Sequence, residues 1–298
     1  MLLLPCCLLL VSASYLDASP QASTSLGPVR GKRLVSRDGR AYLAFTSIPY
    51  AQPPIGPLRF KPPVAARPWK GVLDGTQPIT KCPQYPDDKV IGNEDCLKLD
   101  IFTPNVSASL PVLVHIHGGS FLIGPEPMET GPEMAAFFMD QDVVLVSVRY
   151  RLGILGFLSD ESRELAGNQG LKDMALALEW LEKEIHAFGG NPRAMSTFGI
   201  SAGGAATHYL CLAPRTRKLL KGCISGSGVA GSAWSLNKKG KAKAVAREMA
   251  KKFACPENQL ASCLRGKSIQ EIILPYADTL QTGFQPSIEA ASSDAMVT

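Results

Sequence analysis

A serine framed by glycines stands at Gly199-Ile200-Ser201-Ala202-Gly203, inside the run FGISAGGAA at 198–206. A serine hydroxyl is a weak nucleophile until a neighbouring base takes its proton. The G-x-S-x-G spacing suits a sharp strand-to-helix turn that lifts the hydroxyl clear of a sheet edge, since side chains two before and two after it would collide. The helix beyond points free N–H groups at negative charge. A second pattern, His117-Gly118-Gly119-Ser120-Phe121, closes an apolar run. Paired glycines there let the backbone approach a ligand; with the N–H of Ala202 they would form an oxyanion hole for acyl transfer. Either motif alone also reads as a plain turn. Together they predict Ser201 as nucleophile, with Gly118, Gly119 and Ala202 as the oxyanion hole.

Such a site needs a buried sheet, and the sequence supplies its elements. CLKLDIFTP (96–104) alternates, PVLVHIHGG (111–119) runs continuously apolar, and DVVLVSVRY (142–150) is a β-branched run of the kind buried on both faces. PEMAAFFMD reads as a short helix. Over 170–187, Leu171, Met174, Leu178, Leu181 and Ile185 recur at steps of three and four, an amphipathic helix that GGNP at 189–192 should stop. The strand AMSTFG, an Ala/Gly-rich helix to about Leu212 and the apolar run GCISGSG follow. Strand and helix alternate, which predicts an α/β fold with a mostly parallel central sheet flanked by helices. Before it, residues 28–80 are rich in Pro, Gly and short β-prone runs and predict small antiparallel strands.

The chain has 298 residues, 45% hydrophobic and 19% charged, an ordinary globular composition. Its net charge of +5 is thinly spread, and the densest run, KKGKAKAVAREMAKK at 238–252, reads as the wet face of a helix rather than a nucleic-acid site. MLLLPCCLLLVSAS opens the chain with an apolar core too short to span a membrane, followed by small residues. That predicts a signal peptide at 1–18, cleaved between 13 and 19, a secreted product over 19–298 and no later membrane anchor. Six cysteines would remain in an oxidising compartment. Cys82/Cys96 and Cys255/Cys263 look like two small disulfide loops, whereas Cys211 and Cys223 could be free, buried thiols. Asn105-Val106-Ser107 is a sequon in an expected surface turn.

The sequence resembles the type-B carboxylesterases, α/β-hydrolase relatives of the cholinesterases, and most of all insect carboxylesterases. The matching runs are IPYAQPPIGPLRFKPP, NEDCLKLDIFTP, VHIHGGSF, VSVRYRLGILGFLS, GNQGLKDMALALEW, FGGNP, FGISAGGAA and THYLCLAPRTRKLLKGCISGSG, in that order over about 30–230. The resemblance implies Ser201 as nucleophile and places Gly118, Gly119 and Ala202 in the oxyanion-hole motif. Ser120 stands where a third glycine is frequent, but only its backbone N–H would be used. Cys82 and Cys96 match the family's first disulfide loop, and Cys255 and Cys263 fit its second. Ile200 replaces a glutamate common before the serine. The resemblance implies a small-molecule ester substrate, no cofactor and no metal.

Hydrolases of this kind order their triad Ser…Asp/Glu…His, so acid and base should follow Ser201. His208 is the sole downstream histidine, and it sits on the helix that carries it away from the hydroxyl. His115 and His117 fall on a buried strand, and His186 ends a helix. Asp278, Glu289 and Asp294 match no family motif, and EAASSDAMVT reads as a polar tail. The expectation is therefore the N-terminal portion of a longer esterase domain, without the later strands, the acid and the histidine, and inactive alone. Two other classes compete: a non-catalytic cholinesterase-like adhesion protein and a protein that sequesters esters or organophosphates. The retained serine argues against the first; the second requires the fold to survive without those strands.

Overall fold

The computed structural model describes residues 19–298 apart from 127, 128, 130, 276–282, 291 and 293. The expected signal segment and Asp278 lie outside the described residues.

Short strands open the chain. β1 (Gln21–Thr24) and β2 (Gly27–Arg30) form a hairpin, and β3 (Lys32–Val35) and β4 (Ala41–Pro49) form a second. β5 (Leu73–Asp74) pairs in parallel with β2 and completes a small sheet in the order β1-β2-β5. The hairpins match the small antiparallel strands expected over 28–80, but β5 departs from that expectation by running parallel to β2.

The main sheet adds β6 (Lys98–Thr103), β7 (Leu110–Ile116), β8 (Val144–Val148), β9 (Gly190–Ile200) and β10 (Gly222–Gly226), in the order β10-β9-β7-β8-β6-β4-β3. β10, β9, β7 and β8 are mutually parallel, while β6, β4 and β3 pair antiparallel. Parallel neighbours need crossovers, and helices supply them: α1 (Gly131–Phe138) between β7 and β8, α2 (Gly153–Phe157) and α3 (Gln169–Glu184) between β8 and β9, and α4 (Ala202–Leu212) with α5 (Pro214–Arg217) between β9 and β10. α6 (Lys241–Lys252), α7 (Leu260–Arg265) and α8 (Ile269–Ile273) follow. The basic run lies on α6, which buries Ala242, Val245, Ala246, Met249 and Ala250 and leaves its lysines in solvent.

The core lies on both faces of the sheet. Val144–Val148 is buried at every position. β6 alternates in sequence yet buries five of its six residues. Leu99 and Ile101 join the larger core, whereas Phe102 packs on the other face with Tyr42, Ala44, Met134 and Leu145 beneath α1. The GGNP stop is shorter than its sequence suggests. Gly189, at φ 77, caps the helix, and β9 already pairs at Gly190. Pro192 is tolerated because the register slips between Leu110 and Val112, where no ladder donor is needed.

Buried ion pairs brace this layer. Arg151 donates to both oxygens of Asp173, at 2.8 and 2.6 Å, and Arg59 grips Glu94 with two bonds of 2.7 Å. The segment expected as a polar tail, 289–298, is packed in part: Ala290, Ser292 and Thr298 are exposed, but Glu289 and Met296 are buried, and Glu289 meets Lys172 of α3 at 2.6 Å. Composition misses this because the segment is held by polar partners: Asn168 Nδ2 donates to Ser287 O at 2.7 Å and to Glu289 Oε2 at 2.8 Å.

Cys82–Cys96 and Cys255–Cys263 are disulfides. Cys211 and Cys223, whose pairing the sequence left open, are half-buried and joined as well. α4 packs back along β10, which brings the last turn of the helix beside the start of the strand, with Cα atoms 6.5 Å apart. No helix among the described residues is long and apolar enough to cross a membrane.

Candidate active site

Ser201 occupies the single residue between β9 and α4. Its backbone sits at φ 59, ψ −123, a conformation costly for any residue with a side chain. Neighbouring glycines make the turn possible. A Cβ on Gly203 would stand 2.1 Å from Ile116 O, and one on Gly199 would stand 2.6 Å from the Gly203 carbonyl. The Ser201 N–H donates to Gly226 O at 2.8 Å, so β10 anchors the turn. Its carbonyl accepts the Ala205 N–H at 3.0 Å, which starts α4 directly behind the hydroxyl.

β7 delivers the glycine motif beside this turn. A Cβ placed on Gly118 would lie 3.6 Å from Ser201 Cβ. The backbone then rolls into a tight loop, where Gly119 O accepts from Leu122 N at 2.8 Å and Ile123 N at 3.0 Å. Gly119 at φ 99, Ser120 at φ 57 and Phe121 at φ 63 are all left-handed. Among the described residues the N–H groups of Gly119, Ser120 and Ala202 have no acceptor. The N–H of Gly118, expected as a third donor, is engaged by Glu129 Oε1 at 3.1 Å. A cleft of about 510 Å³ opens here, lined by Gly119, Ser120, Leu122, Ile123, Ser201, Trp234 and others.

The histidines are accounted for one by one. His117 lies beneath the glycine loop, its ring stacked on Tyr150 at 4.3 Å between centroids. Its Nδ1 is 2.8 Å from Gly118 O; a carbonyl only accepts, so Nδ1 carries the hydrogen. Burial pulls its pKa down to about 3, and burial takes that of His115 down to about 4, so both are neutral. Burial holds the Tyr150 hydroxyl protonated, and it donates to His117 O at 2.9 Å. His186 sits in the 3-10 turn that ends α3. His208 accepts the Ala230 N–H on Nδ1 at 3.1 Å. Of the downstream acids, Glu289 pairs with buried Lys172, and Asp294 lies 3.4 Å from the same lysine. None of these groups hydrogen-bonds Ser201 among the described residues.

Three residues at the site carried no signal in the sequence. Glu129 reaches Gly118 from the loop before α1, Tyr150 supports His117, and Gln84 holds the far end of the glycine loop. Each acts through a contact made only in the folded chain. Asn105, the glycosylation candidate, is exposed in a turn where its Oδ1 accepts the Ser107 N–H at 2.9 Å. Among the described residues no cluster of His, Cys, Asp and Glu could hold a metal ion.

The model of the carboxylesterase family matches residues 18–294. A carboxylic ester hydrolase of Bombus ignitus is 37% identical over 95% of this chain and 52% of its own length. Venom carboxylesterase-6 of Apis mellifera is also 37% identical, over 93% of this chain and 52% of its own. Juvenile hormone esterase of Tribolium castaneum is 40% identical over 74% of this chain and 38% of its own length. The chain thus spans about half the length of the relatives it matches. With the family model covering nearly all of it, and the serine turn facing the glycine loop across a cleft, the chain belongs to the carboxylesterase family.

Proposed function

We propose that this chain carries the nucleophile and oxyanion-binding half of a secreted serine esterase for small-molecule carboxylic esters. Ser201 Oγ attacks the ester carbonyl, and the alcohol leaves from the tetrahedral intermediate. Water then releases the acyl group from Ser201. The developing oxyanion is held by backbone N–H groups of Gly119 and Ala202, joined by Ser120. Gly118 shapes the loop while Glu129 occupies its N–H. Such donors act on charge that appears only in the transition state, and one of them is worth about 10²–10³ in rate.

The observation that carries this reading is the strained Ser201 turn at the cleft, beside the N–H groups of Gly119, Ser120 and Ala202, which have no acceptor among the described residues. We assign the base and its acid to the part of the relatives' length that this chain does not cover, because His208 is committed to Ala230 and His115 and His117 are buried and neutral. Residues 19–298 by themselves should therefore give no steady turnover. The apolar lining of the cleft suits uncharged esters. The three disulfides accord with secretion, and Asn105 is the proposed glycan site.

A biotinylated fluorophosphonate applied to native secreted material tests the reading, with the adduct mapped by mass spectrometry. An adduct on Ser201, with the intact mass of a longer chain, is the expected result. Secretion of a chain that is never labelled at Ser201 would overturn it and favour the binding classes.

A further inference from the structure

Gln84 is a buried residue, 3% exposed, that the chemistry above does not use. It lies in the loop closed by Cys82–Cys96, whose ends are themselves buried. Its backbone is fixed there by a two-way pairing with Ile91, at 3.1 and 3.0 Å. From this rigid base its carboxamide reaches across to Gly124 and takes both backbone groups: Nε2 donates to Gly124 O at 2.6 Å, and Oε1 accepts the Gly124 N–H at 2.9 Å. Nε2 also donates to Cys82 O at 3.0 Å.

Gly124 ends the roll of backbone that begins at Gly119. Its upper part, 119–123, lines the cleft and carries two of the proposed oxyanion donors. The middle is held at Phe121, whose carbonyl accepts the Gly153 N–H at 2.7 Å and whose buried ring packs on Phe157 with centroids 5.0 Å apart. The far end has no side chain of its own to anchor it and is pressed against His117: a Cβ on Gly124 would stand 2.4 Å from His117 Nδ1. The only side-chain bonds to Gly124 among the described residues are those of Gln84. A loop of left-handed residues has many other conformations open to it, and donors displaced by a fraction of an ångström lose most of their effect.

We propose that Gln84 is a positioning residue for the oxyanion-binding loop. It clamps Gly124 to the Cys82–Cys96 loop and so fixes where the N–H groups of Gly119 and Ser120 point. The proposal rests on the esterase reading of the same site. Gln84 touches no substrate atom; its effect is on transition-state geometry, so it should appear in kcat and hardly in KM.

The test uses the whole protein as secreted. Gln84→Met keeps the volume and removes all three side-chain bonds. Turnover of a neutral ester and amide hydrogen exchange of residues 119–124 are measured on both proteins. The expected result is a fall in kcat of about tenfold or more, part of the full effect of a lost oxyanion donor. KM should stay within about twofold, with faster exchange confined to 119–124 and unchanged protection in β7 and β8. Gln84→Asn, which keeps a carboxamide, should recover part of kcat, and it replaces the methionine variant if that does not fold. Unchanged kcat with unchanged exchange overturns the proposal. So does a loss of kcat with an equal rise in KM and exchange rising throughout the sheet, which would make Gln84 an ordinary core residue. If the unsubstituted protein neither turns over esters nor forms an adduct at Ser201, the esterase reading fails; unchanged exchange at 119–124 would then still refute the clamp, and a local rise would still uphold it.

Discussion

The carboxylate of Glu129 accepts the backbone N–H of Gly118 at 3.1 Å, while its second oxygen receives the N–H of Glu126 at 3.3 Å. A carboxyl side chain therefore ties the start of the proposed oxyanion-binding loop to the segment before α1. Removing it should act through geometry more than through charge, because Gly118 would be left without an acceptor at the strand end that aims the loop. Glu129→Gln keeps the acceptor and should hold kcat within about threefold of the parent. Glu129→Ala should lower it about tenfold, a hydrogen bond to a charged group being worth roughly 1.5–3 kcal/mol. Steady-state kinetics on both variants decides; equal losses in the two would mean that the charge matters more than the hold on Gly118.

Ser201 holds a strained backbone conformation. At φ 59, ψ −123 a glycine fits where a side chain does not. Ser201→Gly should raise stability by about 1 kcal/mol relative to Ser201→Ala, and both variants should lose fluorophosphonate labelling. Thermal melts of the two side by side provide the check. A glycine variant no more stable than the alanine one would mean that the turn is relaxed.

Acid should weaken the fold through His115 and His117. Burial lowers their pKa values to about 4 and about 3, below the ordinary 6.5, so the unfolded chain binds protons that the folded chain refuses. Their contribution is fully present above pH 6.5 and is lost as pH falls towards the folded values, with stability rising with pH across that window. For His115 the shift corresponds to roughly 3 kcal/mol. A melting temperature followed from pH 7 to pH 4 should fall, and His115→Gln should flatten part of the slope. A parallel slope in the variant would assign the acid sensitivity elsewhere.

Lys172 and Glu289 form a buried pair, 2% and 1% exposed, that joins α3 to the last described segment. Glu289→Leu should destabilise by about 3–5 kcal/mol because it leaves the lysine buried without that partner. Lys172→Met together with Glu289→Leu should lose less than either single change. Urea titrations of the double-mutant cycle measure this; strictly additive losses would mean that the two do not act as a pair.

Local pattern was enough to read the elements that carry the chemistry. The continuous apolar run of β8, the three-and-four spacing of α3 and the glycines around Ser201 are all short-range signals, and each element appears where those signals place it. Local pattern fell short where long-range contact decides. β6 alternates but is covered on both faces once α1 lies over Phe102. The polar run at the end packs because Asn168 and Lys172, more than a hundred residues earlier, meet its polar groups. Cys211 and Cys223 pair because α4 folds back along β10.

The sequence by itself determined the family, the strand–turn–helix that holds Ser201 and the glycine motif that faces it, and it pointed to two of the disulfide loops. All of these rest on neighbours in the chain or on a contiguous motif. Only the tertiary structure decided which backbone donors are free. Glu129 takes the N–H of Gly118, Gln84 takes both backbone groups of Gly124, and His208 is bound to Ala230. The physical reason is that a hydrogen bond between side chain and distant backbone depends on where two elements meet in space, and no periodicity or spacing along the chain records that meeting.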